Sequence, residues 1–268
     1  MSNRNKAAIF RQLHHAPQPL VLPNAWDAGS ARLIESLGAK AIATTSAGVA
    51  WAHGYADGHH LPAHLLAATV AKIVRVVNVP VSTDVEGGYS EDLDEVEQTI
   101  SRVIDAGAVG INIEDGTGSV DQLCHKIERA HRAADRAGVA LFVNARTDVY
   151  LHSLAPEEIR VEETLNRASR YRGAGADGLF VPAVVTAEEI RAIVAGTPLP
   201  LNVLAWRNLP DLDELRELGV KRLSAGSGIA RALFDRGAIL TTEFLKSGRL
   251  ESPFEHTMTY PRINELMK

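Results

Sequence analysis

Asp84 and Glu86 close the apolar run that begins at Val81, and Glu114 ends the run Gly110-Ile111-Asn112-Ile113. Carboxylates gathered in one concave space repel one another unless a cation or a proton intervenes. Oxygen-only donors suit Mg²⁺, which favours octahedral coordination, keeps several waters and takes one or two carboxylates directly. Mn²⁺ fits the same donors. The competing reading pairs these acids with Arg146 and other cations at a rim. Arg146, within Val143-Asn144-Ala145-Arg146-Thr147-Asp148, offers a planar fork matched to a carboxylate or phosphonate, and Asp148 can hold the guanidinium in place. An ion pair between Arg146 and Glu114 is compatible with either reading.

A second group of candidates combines hydroxyls with small residues. In Thr44-Thr45-Ser46-Ala47-Gly48-Val49, backbone N–H groups can approach an anion closely, so Thr45, Ser46, Ala47 and Gly48 are candidate substrate contacts. Asn202, in another apolar run, joins Arg146 in that group. The stretch Trp51 to Gly58 reads as a loop, from which Asp57 can reach a metal's water shell. His53, Tyr55, His59 and Tyr89 are candidate proton donors. The adjacent pairs His14/His15 and His59/His60 lack the separation of a helical zinc pair, so no zinc site is expected. Cys124, early in a helix-like segment, is expected to be a buried structural thiol.

Eight short apolar runs bounded by Gly, Pro or Asp must position these residues: Leu20 to Ala25, Ala41 to Ser46, Val81 to Val85, Gly110 to Asp115, Leu141 to Arg146, Gly178 to Ala183, Pro200 to Ala205 and Lys221 to Gly226. Continuous apolar runs of this length mark parallel strands buried on both faces. Between them lie segments of helical period such as Ala28 to Leu37, Leu93 to Asp105 and Asp121 to Ala137, with Leu93, Val96, Ile100, Val103 and Ile104 on one face. Gly38, Gly107, Gly138, Gly175 and Gly219 follow periodic runs, where a left-handed residue closes a helix. The alternation predicts an α/β fold, a (β/α)₈ TIM barrel over residues 1–268 as one domain. A helix over about residues 4–14 would cap its bottom, and a helical tail over about residues 227–268 would pack on a partner subunit. In such a barrel the chemistry lies at the C-terminal ends of the strands, where the candidate acids fall.

Composition narrows the function classes. With 268 residues, 46% of them hydrophobic, the chain can bury one large core. A net charge of -5 without a basic run argues against nucleic-acid binding. No stretch of about 18 apolar residues predicts a membrane span. One cysteine and a polar N-terminal stretch without a signal-peptide core suit a cytoplasmic protein.

The strand-end residues resemble the isocitrate lyase/phosphoenolpyruvate mutase superfamily from about Leu20 to Leu245. Asn24-Ala25-Trp26-Asp27-Ala28-Gly29-Ser30-Ala31-Arg32 is similar to its first βα turn, and Thr45-Ser46-Ala47-Gly48 to its substrate-anion turn. Asp84-Val85-Glu86-Gly87-Gly88-Tyr89 resembles its acidic metal signature, and Ile113-Glu114-Asp115 with Ala145-Arg146-Thr147-Asp148 its metal-site glutamate and substrate arginine. The resemblance implies that Asp84 ligates Mg²⁺ directly, that Glu86, Glu114 and Asp57 act mainly through bound water, and that Arg146 and Glu114 serve catalysis. It implies a homodimer or homotetramer that exchanges the last barrel helix. The chain departs from the lyases in one place: Glu114-Asp115-Gly116-Thr117-Gly118-Ser119-Val120 carries no Lys-Lys/Arg-Cys-Gly-His lid. Without that proton donor, the expected function is a Mg²⁺-dependent lyase or decarboxylase acting on a small α-oxo acid or 2-hydroxy di- or tricarboxylate through an enolpyruvate-like intermediate. P–C chemistry on a phosphonate and a non-catalytic metabolite-binding barrel are the alternatives.

Overall fold

The computed structural model describes residues 2–250 and 257–268. The chain opens with α1 (Asn3–Leu13), β1 (Leu20–Leu22), β2 (Asn24–Ala25), α2 (Ala28–Ser36), β3 (Ile42–Thr44), α3 (Ser46–Ala52) and α4 (Ala63–Val76). Its middle runs β4 (Val81–Asp84), α5 (Leu93–Asp105), β5 (Gly110–Glu114), α6 (Val120–Ala137), β6 (Phe142–Arg146) and, after a 3₁₀ turn at Glu157–Ile159, α7 (Arg160–Gly173). It closes with β7 (Gly178–Val181), α8 (Ala187–Gly196), β8 (Leu201–Leu204), α9 (Leu212–Glu217), β9 (Arg222–Ser224), α10 (Gly228–Ser247) and α11 (Tyr260–Leu266).

The nine strands form eight staves, because the expected first strand is broken at Pro23. β1 pairs with β9, while β2 pairs with β3. Proline has no N–H to give a ladder, but its carbonyl accepts from Ala43 N–H at 3.2 Å. All pairs are parallel, and the order β1-β9-β8-β7-β6-β5-β4-β3-β2 closes the expected barrel through this stave.

Residues alternate across each stave. On β5, Ile111 and Ile113 face the helical layer with Val96, Ile100, Val103 and Ile104 of α5, whereas Asn112 bonds to Asn144 and Arg222 inside the barrel. Gly38, Gly107, Gly138, Gly175 and Gly219 all take positive φ, as their positions after helices require. One expected strand is shorter than its apolar run. Ile42–Thr44 ends where Thr45 caps α3, so the loop expected from Trp51 begins inside a helix. A Cβ on Gly48 would lie 2.7 Å from Thr45 Cγ2 and 2.9 Å from Trp26 Cβ, so only glycine allows α3 this approach.

α1 plugs the N-terminal mouth. Phe10 fills the space above Gly110, where a Cβ would meet its ring at 2.6 Å. Beside it, His14 stacks on Phe142 at a 4.0 Å centroid distance and is bonded through Nδ1 to Phe10 O at 2.8 Å.

The C-terminal segment is less enclosed. Only Ala230 of α10 is buried, and Leu233, Phe234, Ile239, Phe244 and Leu245 are exposed. Beside β1 lies a groove of about 450 Å³ lined by Leu13, Leu20, Val21, Pro23, Ile34 and Leu37, among others. Residues 251–256 of the expected tail, including Pro253, lie outside the described residues.

Burial, reinforced by the Arg222 charge, pushes the His14 pKa from 6.5 down to about 3. The unfolded chain therefore takes up a proton below about pH 6.5 that the fold refuses, so stability falls as pH drops through this interval. Thermal melts across pH should show His14→Asn flattening that acid limb while lowering neutral stability by about 1–3 kcal/mol. An unchanged acid limb would remove His14 as its source.

Candidate active site

The C-terminal ends of β4, β5 and β6 lie side by side, with Asp84 opposite Asn112 and Glu114 opposite Arg146 in the ladders. Asp84 is set by backbone on both sides. Its N–H donates to Thr44 Oγ1 at 2.9 Å, and its carboxylate accepts Ser46 N–H and Glu86 N–H, each at 3.3 Å. Glu86 occupies the left-handed region at φ 49, a conformation that L residues adopt at a cost. Its Oε2 accepts His59 N–H. Burial raises Asp84 above the ordinary carboxylate range, against the pull of Arg146. Burial also pushes Glu86 up to about 7, and Glu114 up to about 8 against the same arginine.

Arg146 is the cation set against this cluster. Its NH1 lies 2.6 Å from Glu114 Oε2, and its Nε and NH2 bond the two Asp148 oxygens at 2.7 and 2.9 Å. Burial alone would lower its pKa, but Glu114 and Asp148 reverse this and hold it above the ordinary value. Asp148 is itself anchored, its N–H donating to Asp115 Oδ1 at 2.9 Å. Asp115 Oδ2 accepts from Arg167 at 2.8 Å and from the Tyr171 hydroxyl at 2.6 Å. The arginine is thus fixed before any ligand arrives, with N–H donors left on both terminal nitrogens.

The remaining sequence candidates divide. Thr45, Ser46, Ala47 and Gly48 lie at the start of α3, all buried, but the group held by Ser46 N–H is the protein's own Asp84. Asn202 lies inside the barrel on β8, where its Oδ1 accepts from Ser224 Oγ at 3.1 Å. Asp57 is exposed beyond α3, and its charge helps raise Asp84 and Glu86. His59 and Tyr89 reach the mouth with ring centroids 5.8 Å apart. His59 Nε2 accepts Gly87 N–H at 3.3 Å, which fits a neutral ring protonated on Nδ1. His53 instead bonds Thr69 at 2.8 Å, and Tyr55 lines a groove with Trp51 and Phe234. Cys124 is only partly buried, and its thiol is pushed up by burial, away from thiolate chemistry.

Among the described residues, no three His, Cys, Asp or Glu side chains converge as a preformed metal cage. The donors suit an ion that needs few direct ligands: Glu86 Oε1 is buried and has no hydrogen-bond partner, and Asp84 stands beside it. Mg²⁺, which keeps most of its waters, fits such a set.

Three features of this region escaped the sequence reading. The Asp115, Arg167 and Tyr171 anchor joins residues far apart in sequence. The contact of His59 with Glu86 depends on loop geometry. Arg222 crosses the barrel interior, and its only sequence signal is a charge inside an apolar run. Next to Glu114, a cavity of about 310 Å³ is lined by His59, Glu91, Ser119, Gln122 and Lys126, among others. Glu91 bonds Gln122 and Lys126 and so ties the β4–α5 loop to α6. Ser119 caps α6 directly after the short Gly116–Gly118 turn, as the missing lid implied.

The phosphoenolpyruvate phosphomutase family model matches residues 10–245. An uncharacterized protein of Mycobacterium tuberculosis, Rv1998c, is 38% identical over 220 residues, 81% of each chain. A Burkholderia cenocepacia J2315 protein described as a candidate phosphonomutase has a solved structure 44% identical to this chain, with a TM-score of 0.85, covering 90% of this chain and 99% of that one. The 2-methylisocitrate lyase of Halalkalibacterium halodurans is 28% identical, covering 87% of this chain and 75% of its own. Enzymes described as oxaloacetate decarboxylase and 2,3-dimethylmalate lyase are also similar. With the barrel, the strand-end carboxylates and the clamped arginine in the expected order, the chain belongs to the phosphoenolpyruvate phosphomutase family of lyases and mutases.

Proposed function

We propose that this protein is a Mg²⁺-dependent carboxy-lyase or carbon–carbon lyase for a small α-oxo acid, with oxaloacetate-type decarboxylation as the leading reaction. One observation carries this reading: the Arg146 guanidinium is held between Glu114 and Asp148 on the stave next but one to β4, close enough for the Asp84 charge to act on it. Arg146 binds and orients the substrate carboxylate through its free terminal N–H donors. Asp84 would hold the ion directly, and Glu86, Glu114 and Asp57 would hold its waters. When bound, Mg²⁺ supplies Lewis-acid stabilisation of the negative charge that develops on the oxo-acid oxygen.

In decarboxylation, the C–C bond to the departing carboxylate breaks, CO₂ leaves and the electron pair forms the enolate of pyruvate. A proton from water then completes C3. The short Gly116–Gly118 turn favours this reaction because it carries no lid to exclude water or supply an acid. The similarity to an oxaloacetate decarboxylase of Rhodopseudomonas palustris adds support, at 30% identity over 161 residues. P–C bond chemistry is the second reading, favoured by the phosphomutase family model.

We also propose a homo-oligomer in which α10 of one copy packs on a second. The exposed apolar residues of α10 and the groove beside β1 support this arrangement, since a barrel's last helix would ordinarily cover that flank.

The first test is 2-oxo acid release with and without Mg²⁺, corrected for spontaneous decay: pyruvate from oxaloacetate, phosphonopyruvate or 2-methylisocitrate, and glyoxylate from isocitrate. Metal-dependent release from oxaloacetate is expected. Release with phosphate from phosphonopyruvate alone would select P–C chemistry, and Mg²⁺ binding with no turnover would select a binding role. Asp84→Asn should weaken Mg²⁺ binding, measured by calorimetry, by about a hundredfold or more; an unchanged affinity would sink direct ligation.

Linkage gives a third expectation. The metal-free fold holds a proton on Glu86 up to about pH 7, whereas the unfolded chain releases it near 4.5. Its contribution to stability is therefore full below about pH 4.5 and lost progressively as pH rises to about 7. Added Mg²⁺ should raise Tm more at pH 8 than at pH 6, because protons compete for the same oxygens. Equal shifts at both values would argue against Glu86 as the metal's partner.

A further inference from the structure

Arg222 lies inside the barrel, fully buried, on the stave diametrically opposite β5. Its side chain spans the interior: NH2 donates to Asn112 Oδ1 at 3.1 Å, and Nε donates to Ser224 Oγ at 3.1 Å. Asn112 lies opposite Asp84 in the β4–β5 ladder and two residues before Glu114, so the guanidinium lies at the level of Asp84 and about one side-chain layer below Glu114. No carboxylate of the described residues pairs with it. Asp84 is the acid whose charge acts on it, partly opposing a burial that pulls its pKa down to about 9 and leaves it charged at neutral pH.

An unpaired buried guanidinium is costly, and leaving one of its N–H groups unsatisfied costs more. Arg222 NH1 has no partner, and neither does Asn202 Nδ2. Both side chains are tied to one hydroxyl, since Ser224 Oγ accepts from Arg222 and donates to Asn202 Oδ1 at 3.1 Å. Two unused donors, one of them charged, therefore flank Ser224 in a water-poor interior, where bonds to an anion are strong. Arg146 already provides for one carboxylate above them.

We propose that Arg222 and Asn202 form a cationic floor to the site, which takes the second carboxylate of an oxo dicarboxylate and selects such dianions over monocarboxylates. This inference rests on the oxo-acid reading above and assigns its specificity to residues below the strand ends. It also predicts opposite effects on the two kinds of ligand. A buried cation attracts the organic anion but repels Mg²⁺, so losing it should weaken the first without weakening the second.

Calorimetry on the full chain tests this with 3,3-difluorooxaloacetate as the dicarboxylate probe, pyruvate as the monocarboxylate and Mg²⁺ alone. Arg222→Met should lose about tenfold or more in affinity for the dicarboxylate but less than about threefold for pyruvate, with Mg²⁺ affinity undiminished and Arg222→Lys recovering part of the loss. Equal loss for both organic probes, a parallel loss of Mg²⁺ binding, or no loss at all would overturn the floor. If Arg222→Met does not fold, Asn202→Ala decides by the same selective loss. Arg222-dependent dicarboxylate binding without turnover of any oxo acid would uphold the floor and reject the lyase reading.

Discussion

Bringing Asp84, Glu86, Glu114 and Asp148 to one end of a barrel concentrates negative charge where water is scarce, and the arrangement must be paid for with fixed positive charge. Arg146 supplies most of it, ion-paired to Glu114 and bonded along one edge to Asp148. Removing the guanidinium would leave buried carboxylates facing each other, the situation in which a broken ion pair is most destabilising. Burial already raises Asp84, Glu86 and Glu114, so without a further cation the cluster favours holding a proton. A divalent ion could take the place of such a proton, so the proposed affinity for metal and the response to pH would share one electrostatic origin.

The scaffold answers that problem by rigidity. Asp148 cannot swing away from Arg146, because Asp115, Arg167 and Tyr171 hold the turn that follows β6. Asp84 cannot swing away either, since Thr44, Ser46 and Glu86 fix its backbone and its carboxylate. Closure of the barrel depends on the stave broken at Pro23, one half of which pairs with β9 and the other with β3. The interior between this mouth and the plug made by α1 is polar, with Asn112, Asn144, Asn202, Arg222 and Ser224 joined by hydrogen bonds. An interior of this kind gives up some hydrophobic stabilisation in exchange for positioned donors under the site.

Enclosure of the site is incomplete on one side. Between the β4–α5 loop and α6, a polar cavity opens beside Glu114, and Glu91 spans it through Gln122 and Lys126. A wall tied in this way differs from a mobile lid: it can define what fits, but it does not deliver an acid on closing. That distinction favours a reaction whose final proton comes from water. His59, bonded to Gly87 and Glu86 through backbone amides, lines the same cavity.

The sequence by itself determined the periodic strands and helices, the glycines after α2, α5, α6, α7 and α9, and the order in which Asp84, Glu86, Glu114 and Arg146 finish adjacent strands. These are local signals: apolar runs, helical period and polar residues at the ends of runs survive in one dimension. The exact ends were less legible, as with Thr45 and Ser46, which leave the strand because glycine at 48 lets a helix start against Trp26. Only the tertiary structure decided that Ser46 holds Asp84, that Asp115 anchors the arginine through residues far along the chain, and that Arg222 crosses the barrel to Asn112. Each of these depends on the stagger between staves and on which side chains span the interior, and that geometry exists only once the sheet has closed.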